Sequence, residues 1–320
     1  MEGRMTSQVT CQVTGYDYHP VKYALSWILW PVLFIGCMAI TAYGFSLDMP
    51  IIFFNLAYMF LIVSLFLLEK WMPHERAWLN PDGQNIASIL HTVSSKGTVQ
   101  GLLIFGGTIG LLGLFDNPTH GIWPNDWPMW AQVCLGVVAA EFGLYWAHRL
   151  GHVTAFVWRF HAVHHSVTKL WFLNTGRFHF VDSLMSIVIG MLILVVLGAP
   201  LDVMKWLSAV TAFIGMLTHC NVEMRFGWIN YVFNTPALHR WHHSKDLKEG
   251  NRNYGENVMI WDHVFGSFYN ANYRPPTDIG MKDYMPRAFG KQIIWPFLPV
   301  SAKQRLEPDY EPLPFIKEDI

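Results

Sequence analysis

Charge is what this sequence has least of. Asp, Glu, Lys and Arg make up 14% of its 320 residues, against about 25% in a soluble domain. The net charge is −1, so there is no basic footprint for nucleic acid. Cysteine is scarce too: Cys11, Cys37, Cys134 and Cys220 are scattered, and no CxxC occurs. That argues against a disulfide framework, a cysteine zinc site and an iron–sulfur run. No GxGxxG fingerprint and no CxxCH haem motif is present. Residues 1–22 are polar and lack the apolar core and cleavage site of a signal peptide.

What is there is apolar. The chain is 52% hydrophobic and 15% aromatic, and the surplus lies in long runs. Residues 24–45 form a run of 22 without a charge, and residues 51–68 a second of 18, joined by SLDMP. About 20 such residues span a bilayer as a helix. Within the polar stretch 69–96, Ile86, Ile89, Leu90 and Val93 repeat at helical spacing, which predicts an amphipathic helix in the membrane interface. His91 on it is read as interfacial, not as a ligand. Residues 97–115 and 129–147 are the third and fourth runs. Residues 183–200 and 206–218 flank GAPLD and predict a hairpin whose second arm is short. The fold class is all-α: a polytopic membrane protein with four spans plus a helical hairpin. We read residues 1–320 as one integral membrane domain, with 271–320 a proline-rich cytoplasmic tail.

Lys and Arg alternate between the loops. Arg4 and Lys22 precede the first run; Lys70, Arg76 and Lys96 follow the second; Arg149, Arg159, Lys169 and Arg177 follow the fourth. Residues 46–50 and 116–128 hold neither. Positive residues mark the cytoplasmic side, so the N-terminus and the histidine-rich cap are expected there. The membrane is read first as a bacterial inner membrane, with the endoplasmic reticulum as the alternative.

Histidine is the second abundance. Five of the 15 fall between His148 and His165. His148 and His152 are four apart. His161, His164 and His165 form HxxHH, and His239, His242 and His243 repeat that spacing. Residues three and four apart share a helix face, so each cluster aims its imidazoles at one point. Imidazole suits iron, zinc, copper and nickel, and one four-coordinate zinc takes about four ligands. Eight histidines exceed that and suit a two-metal site. Glu141 lies about two turns before His148. It is expected either to accept a histidine N–H or to bond between helices. Asn174, Asp182, Asn221, Asn234 and Asp246 are further candidate acceptors, or caps and turns. Trp261, Asp262 and Phe265 are read as packing that closes the cap. His19, His74, His120 and His263 carry no spacing signal.

The motifs HRLGH, HAVHH and HRWHH, with a membrane hairpin between the last two, resemble those of the sterol desaturase and fatty acid hydroxylase superfamily. The stretch NTPALHRWHHSKDLKEGNRNYGENVMIWDHVFGSFY is similar to its alkylglycerol monooxygenase-like and bacterial sterol-desaturase-like members. The resemblance covers residues 130–270, which it marks as the catalytic region. It implies a membrane enzyme with two iron ions and O2 as co-substrate, acting on a membrane lipid by hydroxylation, desaturation or oxidative cleavage. With no redox domain in the chain, electrons are expected from a separate donor protein. By position the resemblance implies His148, His152, His161, His164, His165, His239, His242 and His243 as ligands, and His219 in THCN as a further one. His179 in RFH matches a position where many members have histidine then proline; Phe180 replaces that proline here. Lipid hydroxylation leads, with sterol desaturation and ether-lipid cleavage open. The rival of another class is a histidine-rich membrane metal transporter, which should place its ligands along a path near the midplane.

Overall fold

The computed structural model describes residues 19–108 and 121–311. Two prolines open the first two helices. Pro20 starts α1 (Pro20–Ser46) and Pro50 starts α2 (Pro50–Trp71). Proline suits a first turn because its missing N–H would have no partner there. The 27 residues of α1 reach about 40 Å at 1.5 Å each. The two helices pack as an antiparallel pair across the turn at Leu47–Met49, where Asp48 takes a left-handed conformation, φ 57°.

Helix α3 runs unbroken from Asn85 to Thr108. The amphipathic stretch and the start of the third apolar run are therefore one element, not two. Lys96 and Gly97 mark a boundary in composition, but neither stops a helix. The rest of that run, residues 109–115, lies outside the described residues, as does His120. Ile86, Ile89, Leu90 and Val93 all face outward. The opposite face, with Ala87, Ser88 and His91, is buried. His91 is thus a packed residue and not an interfacial one.

Helices α4 (Met129–Val153) and α5 (Ala155–His165) meet at an extended Thr154. The hairpin follows as α6 (Phe180–Leu197) and α7 (Leu201–Thr218). Gly198 turns it at φ 77°, a left-handed value that glycine takes without strain. The second arm is longer than its apolar run: Leu201 to Lys205 supply an extra turn, so each arm has 18 residues. Gly143 of α4 lets α6 approach; a Cβ there would lie 2.8 Å from Ile189 O.

Among the described residues five helices, α1, α2, α4, α6 and α7, are long and apolar enough to cross a membrane, and the chain is a multi-pass membrane protein. Two cores hold the bundle. Trp30, Leu61, Leu65, Phe213 and Leu217 join α1, α2 and α7. Ala140, Leu194, Val203 and Leu207 join α4, α6 and α7. The ends of α2, α4 and α7 and the start of α6 come to one pole. There the chain builds its cap from short helices, α8 (Pro236–His242), α9 (Leu247–Gly250) and α10 (Ile260–Val264). Among the described residues the only extended pairings are isolated bridges, such as Phe233 with Val258.

The segment after residue 270 is more than an extended tail. It forms α11 (Phe289–Ile294) and α12 (Val300–Leu306). Gln292 of α11 meets His91 Nε2 at 2.9 Å, while His91 Nδ1 lies 3.1 Å from Phe178 O. This lashes the tail to α3 and to the loop before α6.

Candidate metal centre

Nine histidines meet at the capped pole in two groups. His148, His152, His161, His165 and His242 form one; His164, His219, His239 and His243 form the other. Within each group one ring nitrogen per residue lies within 4.8 Å of all the others. All nine side chains are buried. The second motif is divided between the groups. On α5, His161 and His165 are one turn apart and serve the first, while His164 turns to the second. On α8 and its cap, His242 joins the first group, and His239 and His243 the second. The groups adjoin: the His165 and His243 rings stack at 4.4 Å.

Six of the nine rings are oriented through Nδ1. His148 Nδ1–H donates to Tyr254 O at 2.7 Å, and His242 Nδ1–H to Arg252 O at 2.8 Å. His152 reaches Asn251 Oδ1 at 3.2 Å and His161 reaches Asp182 Oδ2 at 2.9 Å. His164 uses Arg177 O at 3.3 Å and His219 uses Gly215 O at 3.0 Å. A ring that donates from Nδ1 carries a lone pair on Nε2. Those lone pairs point inward. The Nε2 atoms of His148, His152 and His242 are buried and have no partner. An unpartnered buried polar atom costs about 1–3 kcal/mol, and three around one point call for a cation. In the second group His239 Nε2 lies 3.1 Å from both His219 and His243, and His243 Nε2 lies 3.1 Å from His164. Burial pushes the pKa of His164, His165, His239, His242 and His243 well below the ordinary imidazole value. The rings are therefore neutral, as metal ligands must be. The donor set fits a metal ion in each group.

His179 stands apart. Its Nδ1 accepts the Val181 N–H at 3.2 Å, capping α6, and its Nε2–H donates to Ile293 O at 3.1 Å. Both nitrogens are committed, so the expectation that it joins the ligands is corrected: it is a helix cap. Of the candidate acceptors, Asp182 alone bonds a histidine. Asp246 caps α9, and Asn174 braces the turn at 169–174. Asn221 ties to Glu75 at the end of α2. Glu141 takes the N–H of Glu256 and of Asn257 and the Asn257 amide. It thereby fixes the loop that carries Tyr254 O, at one remove from His148. Asp262 fixes the same loop through the N–H groups of Tyr254 and Gly255. Asn234 holds Gly255 O. Trp261 and Phe265 pack against Phe142. His74 pairs with Glu223, and the exposed His263 meets Tyr231 O.

Sequence reasoning missed Asn251 and the four backbone carbonyls, which have no residue-type signal. It also missed Glu256, whose neighbours in sequence carry no histidine. Burial, with Glu141 and Asp182 nearby, pushes its carboxyl up to about 8. Cavities reach the centre from more than one side. One of about 290 Å³ opens at the cap beside His152, His165 and His242, with Lys245, Lys282 and Asp283 at its wall. Another, about 140 Å³, touches His148, His164, His219 and His239 and is lined on one side by Thr211, Gly215 and Thr218 of α7.

A membrane bundle with two buried histidine groups at one pole defines a class of integral membrane protein built around a metal centre. Comparison with known proteins makes that narrower. A model of the fatty acid hydroxylase family matches residues 133–267. The chain is 47% identical to the ornithine lipid hydroxylase OlsE of Rhizobium tropici over 289 residues, 89% of this chain and 86% of that one. It is 29% identical to the alkylglycerol monooxygenase of Homo sapiens over 161 residues, 50% of this chain and 34% of that one. It is 26% identical to the fatty acid hydroxylase vlmA of a Lecanicillium species over 181 residues, 51% and 49% of the two chains. No solved structure matches. The chain belongs to the fatty acid hydroxylase family.

Proposed function

We propose that this protein is a membrane oxygenase that hydroxylates a C–H bond of a lipid at a pair of iron ions, with O2 as co-substrate and electrons from a separate donor protein. The observation that carries this is the gathering of nine buried imidazoles into two adjoining groups at the capped pole of the bundle. His148, His152, His161, His165 and His242 would hold one ion, and His164, His219, His239 and His243 the other. Iron with O2 supplies an oxidant strong enough for an unactivated C–H bond.

The chain's own residues do the rest. Asp182, Asn251 and the carbonyls of Tyr254, Arg252, Arg177 and Gly215 fix the tautomers of six rings, so their lone pairs are aimed before the metal arrives. Glu141 and Asp262 hold the 254–257 loop in place, and with it the Tyr254 carbonyl that orients His148. Helix α7 crosses the membrane and lines the smaller cavity with Thr211, Gly215 and Thr218, so a lipid chain lying against it is within reach of the centre. The relative OlsE is by its name an ornithine lipid hydroxylase, so a lipid with an amino-acid headgroup is the first substrate to test. The alternation of Lys and Arg supports a cytoplasmic centre, and the bacterial relative supports a bacterial inner membrane.

Metal analysis of detergent-purified protein tests the centre. About two irons per chain in the wild type, and fewer in His164→Ala, are expected. Stoichiometric zinc that survives anaerobic iron loading would sink the oxygenase. Lipid extracts of cells with and without the chain test the reaction: a new oxygenated lipid is expected. Zinc or iron flux into liposomes that depends on His161 would count for a transporter instead.

A further inference from the structure

The smaller cavity has a wall that the metal centre does not use. Beside the four histidines it is lined by Glu256, Asn257 and Asn234. Both amides are oriented by their nitrogens: Asn234 Nδ2 donates to Gly255 O at 2.7 Å, and Asn257 Nδ2 to Glu141 Oε2 at 2.8 Å. Each Oδ1 must then be an acceptor, and each is buried without a partner. Both side chains are within 3% of full burial. At Glu256 the backbone N–H is engaged, by Glu141, while its carboxylate takes no hydrogen bond from a described residue. The charged groups that act on it, Glu141 and Asp182, carry its own sign. Two of the threonines on the wall have spent their hydroxyls, Thr175 on Phe172 O and Thr218 on Gly215 O. The wall therefore presents two unpartnered amide oxygens beside a carboxyl that burial and its like-charged neighbours push up to about 8, and that an arriving cation would hold ionised. About 140 Å³ is room for roughly four or five groups of water size, at about 30 Å³ each.

The chemistry that satisfies such a wall is a cation with several hydrogens and no lone pair. A primary ammonium has three N–H donors and no acceptor, one for each of Glu256, Asn234 and Asn257. We propose that this cavity is an amine subsite, which receives the protonated amine of an aminolipid, with Glu256 as the residue that selects it. This rests on the lipid-oxygenase reading and names the class of lipid that it takes. Glu256 is then a specificity residue, and Asn234 and Asn257 orient the amine against it.

The test compares an ornithine-headgroup lipid with its N-acetylated form, which has lost the charge and two donors. Binding in detergent micelles is measured on iron-loaded wild type, Glu256→Gln and Glu256→Ala, with metal content and oxidised product beside it. The wild type is expected to bind the free amine roughly ten- to a hundredfold more tightly, the range for a charge-assisted hydrogen bond. Glu256→Gln should erase that preference, raise KM more than it lowers kcat, and keep its iron. Equal binding of the two lipids by the wild type overturns the proposal and needs no variant. So does a preference that survives in Glu256→Gln, which would leave the cavity to water. Loss of iron in Glu256→Gln would make the residue a partner of the metals and not of the lipid. A wild type that binds the amine selectively but oxidises neither lipid would instead sink the oxygenase and leave the subsite standing.

Discussion

A single carboxylate, Asp182, shows how much of this centre depends on what lies behind the ligands. It sits in the first turn of α6, buried, and takes the Nδ1–H of His161 at 2.9 Å. The bond fixes the ring and makes Nε2 a better donor to a metal. Asp182→Ala should lower metal affinity roughly ten- to a hundredfold, with the loss confined to the five-histidine group. A competition titration against a chelator reads this as one weak site beside one unchanged site; two unchanged sites would remove Asp182 from the centre. The contrast with Glu141 is instructive. Both carboxylates are buried and both stand close to a histidine motif in sequence. Glu141 binds backbone N–H groups of the 256–257 loop and reaches His148 only through that loop. Nearness in sequence to histidines made both of them candidate acceptors. The partner that separates them comes from about 115 residues away, and no pattern in the chain announces it.

At the scale of elements, His179 is the sharpest case. It carries the same side chain as the ligands and lies two residues after Arg177, whose carbonyl orients His164. Yet it caps α6 with one nitrogen and holds the tail at Ile293 with the other. His179→Ala should cost about 1 kcal/mol for the cap, seen as a lower melting temperature, and should keep its full metal content. Loss of metal comparable to that of His164→Ala would restore it as a ligand. What was legible in the sequence follows the same line. The histidine clusters were readable because spacing of three and four places rings on one helix face, whatever the rest of the chain does. The spans were readable from apolar runs. The division of each HxxHH motif between two groups was not. It depends on how α5 and α8 cross, and that is set by packing between distant segments. The continuity of α3 was hidden because Lys96 and Gly97 look like an end, although the helix carries them through. The docking of the tail was hidden because α11 and α12 are too short to show a period.

For the whole molecule, the centre ties stability to pH. His164, His165, His239, His242 and His243 are held neutral by burial, with pKa well below the usual value. In the unfolded chain each takes a proton near pH 6.5. As pH falls through that value the unfolded chain binds protons that the folded chain refuses, so stability falls with pH. Each such ring contributes up to about 1.4 kcal/mol per pH unit below 6.5, and the five act together. Metal adds to the effect, because it binds only the deprotonated nitrogens and its release lets them take up protons. The metal-free protein should therefore melt highest near pH 7, give up a little toward pH 8, where the Glu256 carboxyl resists ionisation, and lose stability steeply below about 6.5. The loaded protein should melt higher at every pH and release metal in the same acidic window. Melting curves of both forms in detergent between pH 5 and 8, taken with metal analysis of the filtrate, follow the two processes at once. A melting temperature that stayed level down to pH 5 would mean that the rings accept protons in the folded state. That is incompatible with rings held neutral by burial, and the gathered centre itself would then have to be abandoned.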